Sequence, residues 1–311
     1  MVAIKSPRPE WLKVRLPGGE NYNRLKSVMR GLDLHTVCEE ARCPNVAECW
    51  GQGTATFMIL GDVCTRACGF CAVATGLPTK LDLAEPDRVA RAVKAMRLQH
   101  VVITSVNRDE LRDGGAFLFA RTIEAVRHEN PSATIEVLIP DFKGSLPALQ
   151  KVLAARPEIL NHNVETVPRL YKRVRPGANF RQSVELLNRG KALAPEIISK
   201  TGIMVGLGES HQEMVDVLRE LVAARVEILT IGQYLQPTKK HLPVERFYHP
   251  DEFRELKQIG LAAGFRHVEA GPLVRSSYHA ANQVPDRRLI HLSAGNGSLD
   301  PASGTNPSGM S

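Results

Sequence analysis

No apolar run in this chain of 311 residues approaches the roughly 18 to 20 residues that a membrane-spanning helix needs. The N-terminus also lacks a signal peptide's apolar stretch and carries Lys5, Pro7, Arg8 and Pro9 in its place. Both absences predict a cytoplasmic protein without a membrane partner. Aromatic residues make up only 5% of the chain, there is no platform of aromatic and basic side chains interleaved, and no five Lys or Arg stand in a row. The net charge of +7 therefore reads as a basic surface suited to an acidic protein domain or a charged cofactor, and nucleic acid is disfavoured. With 43% hydrophobic residues the chain can bury a large core.

Cysteine is scarce as well. There are six, all confined to residues 38–71, where Cys38, Cys43 and Cys49 read CxxxxCxxxxxC and Cys64, Cys68 and Cys71 read CxxxCxxC. A chain this long needs no disulfide staples, and disulfides rarely persist in a reducing compartment, so two sets of three metal-binding thiolates are the better reading. Three thiolates leave one coordination position open for another group. Two readings stay open on spacing alone. One is structural zinc completed by a histidine, for which His35 is the nearest candidate. The other is an iron–sulfur cubane with one exposed iron, favoured by the position of CxxxCxxC directly after a first strand.

Residues 1–53 form a basic, turn-rich arm that ends in the first triplet. Beyond it, six apolar segments alternate with segments of helical period: 56–60, 100–104, 134–139, 159–160, 203–205 and 228–231. Val89, Val93 and Met96 share one helical face, as do Met214, Val217, Leu218, Leu221 and Val222, and Ser210 with Glu213 forms a capping box. Strand–helix alternation implies parallel strands with right-handed crossovers, here an α/β partial (β/α)6 barrel spanning 54–292. The loops after the strands carry the chemistry in such a fold, which brings Cys64–Cys71, Ser105, Asn107, Asn163, Glu165, Gly206–Glu209 and Gln233 to one rim. The glycines of 202–208 have the wrong spacing for a dinucleotide fingerprint. Residues 293–311, rich in Gly, Ser, Pro and Asn, read as a disordered tail.

Cys64-Thr65-Arg66-Ala67-Cys68-Gly69-Phe70-Cys71 resembles the signature of the radical S-adenosylmethionine (SAM) enzymes. The stretch Cys38 to Trp50 is similar to the auxiliary-cluster motif of the lipoyl synthase family, and Arg275-Ser276-Ser277-Tyr278-His279-Ala280 resembles that family's C-terminal motif. Further matches include 104–109, 113–116, 162–166 and 202–209, so the resemblance runs from about residue 35 to 280. It implies two [4Fe-4S] clusters. One is held by Cys64, Cys68 and Cys71 with SAM on its open iron; the auxiliary one is held by Cys38, Cys43, Cys49 and Ser277. It also implies insertion of two sulfur atoms at C6 and C8 of a protein-bound octanoyl-lysine, at two SAM per lipoyl group, with the auxiliary cluster as sulfur donor.

The partners implied are octanoylated carrier domains (glycine cleavage H protein and 2-oxoacid dehydrogenase E2 subunits), a low-potential donor such as ferredoxin or flavodoxin, and a cluster-repair protein. Ser105, Asn107, Asn163 and Glu165 are expected near SAM, with Gly206–Glu209 on its adenine side. Arg66, Arg108, Arg112, Arg173, Arg175 and Arg181 are candidates for docking an acidic carrier, and a monomer leaves the rim open to it. A radical enzyme using its second cluster for electron transfer, or a zinc-stabilised binding module, is the rival reading. The first lacks a use for the serine motif, and the second lacks one for the polar rim.

Overall fold

The computed structural model describes residues 8–13, 18–40, 43, 45–51 and 55–283. The expected tail at 293–311 lies outside them. Among the described residues there are ten strands: β1 (His35–Thr36), β2 (Thr56–Ile59), β3 (Val63–Cys64), β4 (Ala74–Thr75), β5 (His100–Ser105), β6 (Thr134–Leu138), β7 (Ile159–Asn161), β8 (Ile198–Val205), β9 (Ile228–Gln233) and β10 (His267–Gly271). Eight of them form one sheet in the order β1-β2-β5-β6-β7-β8-β9-β10. From β2 to β10 every pairing is parallel, and β1 runs antiparallel along the β2 edge.

The helices are α1 (Glu20–Gly31), α2 (Val37–Glu40), α3 (Val46–Gly51), α4 (Glu85–Met96), α5 (Ala116–Glu129), α6 (Leu146–Ala154), α7 (Tyr171–Val174), α8 (Phe180–Leu193), α9 (His211–Ala223) and α10 (Pro250–Ala263). Val89, Val93 and Met96 of α4 and Met214, Val217, Leu218 and Leu221 of α9 are buried against the sheet, as their spacing predicts. The Ser210–Glu213 capping box at the start of α9 is present in both directions. Sheet and helices together form the partial parallel barrel expected from the strand–helix alternation.

The sheet extends beyond six parallel strands. β10 is a seventh, paired in register with β9 from His267↔Ile228 to Gly271↔Gly232, and it delivers the chain to the Arg275–Ala280 segment. His267 and Glu269 break its apolar pattern, which hides it from periodicity. β8 begins five residues before the apolar segment 203–205, because its first half contains Ser199, Lys200 and Thr201, all buried. Lys200 projects into the barrel, where its Nζ lies 2.9 Å from Glu136 Oε2 on β6, and Asn161 Nδ2 on β7 donates to Glu136 Oε1 at 2.8 Å. Both members of the ion pair are fully buried. Burial opposes ionisation of Glu136, but Lys200, His100 and Asn161 outweigh it and hold its pKa down to about 2.

Candidate active site

The CxxxCxxC loop leaves β2 at the C-terminal end of the sheet and is closed on itself by the small parallel pair β3–β4, with the Gly76 amide donating to the Cys64 carbonyl at 2.9 Å. It is held from three directions. The Gly69 amide donates to Val174 O and the Leu242 amide to Gly69 O, while His241 Nε2 lies 2.9 Å from Cys71 O. A Cβ at Gly69 would stand 2.9 Å from the Leu242 side chain and 3.2 Å from Arg173 O, so any larger residue must push Leu242 aside at this crossing. On the far side, Arg66 reaches two carboxylates at once, Asp109 at 2.7 and 2.9 Å and Asp141 at 2.7 and 2.8 Å. It ties the loop to the ends of β5 and β6. Asn107 completes the attachment: its amide donates to Cys64 Sγ at 3.4 Å, and its carbonyl accepts from the Thr65 amide and hydroxyl.

Inside this frame lies a cavity of about 620 Å³ bordered by Cys64, Cys68, Cys71, Ser105, Asn107, Asn163, Glu165 and Arg175, and also by Cys38, Cys43 and Ser277. The whole first triplet, Cys38 and Cys43 of the second, and the C-terminal serine therefore open on one space. Ser105 Oγ and Asn163 Oδ1 are buried at its wall without a hydrogen-bond partner. Asn163 Nδ2 donates to Glu165 Oε1 at 3.0 Å, and Glu165 takes a φ of 65°, in the left-handed region that non-glycine residues avoid. Burial raises the Glu165 pKa above the usual carboxylate range, although Arg175, Asn163 and Arg275 pull it down.

The second triplet comes from α2, the loop after it and α3. A small pocket of about 10 Å³ is lined by Cys38, Cys43, Cys49 and Ser277 together with Asn45, Thr56, Arg275 and Tyr278. Burial pushes the Cys38 thiol up to about 11 and the Cys49 thiol up to about 12, and the neighbouring cysteines of the same triplet add to both shifts. In the first triplet burial pushes Cys71 up to about 11, with Cys68 and Cys64 adding to it. Arg275 is half-buried, where its charge acts on both Cys43 and Glu165, one from each half of the site. The C-terminal segment reaches this place by crossing β9 at Gly232, where a Cβ would fall 2.0 Å from Val274 O.

Residues 4–43 match the model for the N-terminal domain of lipoyl synthase of the radical SAM family, and residues 58–221 match that of the radical SAM superfamily. The chain is 61% identical to the lipoyl synthase of Rubrobacter xylanophilus over 287 residues, which covers 92% of this chain and 89% of that protein. It is 58% identical to that of Bacillus subtilis over 278 residues, covering 89% of this chain and 93% of the relative. The chain belongs to the lipoyl synthase family.

Among solved structures, methylornithine synthase (PylB) matches with a TM-score of 0.50 at 16% identity, over 92% of this chain and 95% of that one. Streptococcus suis SuiB bound to SAM matches with a TM-score of 0.52 at 12% identity, over 74% of this chain and 54% of SuiB. These likenesses concern the fold. Radical SAM enzymes of the lipoyl synthase family use SAM and [4Fe-4S] clusters, and the donor set suits both. Burial raises the pKa of Cys38, Cys49 and Cys71, and neighbouring cysteines of the same triplet add to it, so a cationic centre such as iron favours the thiolates there. The unpartnered Ser105 Oγ and Asn163 Oδ1 suit a polar ligand bound within the cavity.

Several expectations for this lipoyl synthase family member need correction. Gly206–Glu209 does not line the cavity: the Glu209 carboxylate is taken by the amides of Gly206 and Leu207 at 2.6 and 2.9 Å and serves its own turn. Three of the arginines proposed for docking are buried in the framework. Arg66 carries the double carboxylate fork, Arg108 donates to Leu60 O, and Arg175 donates to Asn163 O. Arg112, Arg173 and Arg181 remain exposed or partly so, with Arg173 paired to Glu245. Sequence reasoning missed Asp109 and Asp141 as the partners of Arg66, and the contacts of Asn45 and Glu48 with the C-terminal segment. These pairs lie 43 to 231 positions apart, and no local pattern marks them.

Proposed function

We infer that the chain is a lipoyl synthase that inserts two sulfur atoms, at C6 and C8, into an octanoyl chain carried on a lysine of another protein. The observation that carries the reading is a cavity of about 620 Å³ bordered by Cys64, Cys68 and Cys71, by Cys38 and Cys43 of the second triplet, and by Ser277. Cys64, Cys68 and Cys71 would hold the cluster to which SAM binds, and Cys38, Cys43, Cys49 and Ser277 the auxiliary one. Bound there, these groups supply what unactivated C–H bonds demand: a low-potential electron, a 5′-deoxyadenosyl radical from each of two SAM molecules, and sulfide.

The chain's own residues bind, orient and exclude. Ser105 Oγ and Asn163 Oδ1 offer hydrogen bonds to the polar parts of SAM, and Glu165, backed by Arg175, presents a carboxylate to its hydroxyl or amino groups. The Asn107 and Arg66 amides donate to the Cys64 sulfur, which stabilises negative charge on it. Residues 1–53 and the segment after β10 act as extensions of the barrel that together build the auxiliary site. The mostly apolar cavity wall admits an alkyl chain and keeps bulk water from reactive species. The chain thus works on octanoylated carrier domains, those of the glycine cleavage H protein and the E2 subunits of 2-oxoacid dehydrogenases, in the cytoplasm. It needs a reductant of the ferredoxin or flavodoxin kind and a protein that rebuilds the consumed cluster.

The test is anaerobic incubation of the reconstituted protein with an octanoyl-lysyl peptide, SAM and a low-potential reductant. The peptide gains two sulfurs, read by mass, and 5′-deoxyadenosine accumulates. Ser277→Ala retains deoxyadenosine formation and loses most of the sulfur transfer. Neither product from a protein holding both clusters would overturn the reading.

A further inference from the structure

The C-terminal turn that carries Ser277 is tied to the helix that carries Cys49 by a compact set of contacts. Tyr278 Oη donates to Glu48, 3.1 Å from each carboxylate oxygen, and His279 Nε2 lies 3.1 Å from Glu48 Oε1. The Tyr278 and His279 rings stack on each other with centroids 3.8 Å apart. Two side chains thus converge on one carboxylate, and Glu48 immediately precedes Cys49 on α3. At the other end of the same interface the buried Asn45 donates from Nδ2 to Leu273 O at 2.6 Å. Asn45 also precedes α3, and its carbonyl accepts from the Cys49 amide.

The backbone at this turn is not relaxed. His279 has a φ of 52°, in the left-handed region that a residue with a Cβ occupies only when its surroundings hold it there. The contact with Glu48 and the stacking on Tyr278 are the restraints visible at its side chain. Ser277 is a single weak donor on a turn, with no cysteine-like affinity of its own, so its place over the triplet depends on what fixes the turn. Among the described residues, no hydrogen bond or ion pair joins the side chains of Glu48, Tyr278 or His279 to Cys64, Cys68 or Cys71.

We propose that Glu48, Tyr278 and His279 form a clamp that positions Ser277 over Cys38, Cys43 and Cys49, and so determines how firmly the auxiliary cluster is held. These are positioning residues, and the proposal rests on the assignment of that cluster to the second triplet. The clamp is half-exposed, with Glu48 46% and His279 32% accessible at the side chain, so it restrains the turn without sealing it. That suits a cluster that is consumed and rebuilt.

The experiment is iron release to a chelator from the reconstituted full-length protein, with the cluster on Cys64, Cys68 and Cys71 serving as an internal control. Wild type, Glu48→Ala, Tyr278→Phe and the double variant are compared. In Glu48→Ala, release from the auxiliary cluster accelerates by about tenfold, as expected for loss of hydrogen bonds to a charged group. In Tyr278→Phe the acceleration is smaller, and in both variants the other cluster's release rate stays at the wild-type value. The double variant is no faster than Glu48→Ala, because both changes break the same clamp.

Unchanged auxiliary release in Glu48→Ala overturns the proposal. Equal acceleration of both clusters also overturns it, since that signals general loosening, and additive effects in the double variant refute a shared carboxylate. A wild-type protein holding only one cluster's iron would instead overturn the auxiliary-cluster assignment, and the proposal with it.

Discussion

Replacing Arg66 by Met tests the account of the cysteine loop most directly. The Arg66 side chain is 6% accessible and its guanidinium faces two carboxylates: the Asp141 side chain is fully buried, while that of Asp109 is 22% accessible. Methionine fills much of the same volume but leaves the Asp141 charge buried without its partner, which costs about 3–5 kcal/mol; the Asp109 half, closer to water, adds little. For a cooperative unit of about 230 residues that loss lowers Tm by about 6–10 °C. Thermal unfolding of the iron-free protein, followed by circular dichroism, measures it without interference from metal release.

The sign of the pH dependence follows from Asp141. Burial alone would raise its pKa, but the Arg66 hydrogen bonds and charge outweigh that and leave it below the ordinary carboxylate value. Its stabilisation is therefore present above about pH 3.9 and is lost as the pH falls through the depressed value. The gap between wild type and Arg66→Met narrows under acid. Asp141→Asn is expected to destabilise the wild type and to restore stability to Arg66→Met. Equal effects of Asp141→Asn in both backgrounds, or a Tm change below 2 °C for Arg66→Met, would refute the coupling.

Gly69→Ala places a Cβ against Leu242 and the Arg173 carbonyl. It is expected to cost about 1–3 kcal/mol locally, and the iron retained after gel filtration falls toward half the wild-type content because only one triplet is disturbed. Lys200→Met strands the ionised Glu136 inside the barrel and is expected to lower the unfolding free energy by about 3–5 kcal/mol in urea titrations. Adding Glu136→Gln recovers much of it. The wild-type contribution of Glu136 persists above its ordinary pKa near 4.3 and fades as the pH falls toward about 2.

The cysteines were legible in the sequence because their partners are a few residues away, and the strand–helix alternation because buried parallel strands are continuous apolar runs. Residues whose environment is built by distant strands were not. Ser199, Lys200 and Thr201 look like a polar connection, yet they lie inside the barrel because Glu136 and Asn161 arrive there from two other strands. Arg66 looks like a surface arginine for the same reason, its partners being 43 and 75 positions away. Ser277 carries no signal as an isolated serine and was singled out only by the motif around it. Conversely, the Gly206–Glu209 turn looks like part of a ligand loop but is occupied with its own amides.

The two cysteine triplets are neighbours along the chain, yet they are completed at different stages of synthesis. The first needs nothing beyond Leu242, whereas the interface that closes the second spans 228 to 231 positions and includes His279. A nascent chain emerging from the ribosome can therefore frame the first triplet while the second still lacks its wall. Closing so long a loop adds only a logarithmic entropic cost, but it fixes an order. A chain cut short before β10 keeps the framework of Cys64, Cys68 and Cys71 and still lacks the wall that closes the pocket of Cys38, Cys43 and Cys49.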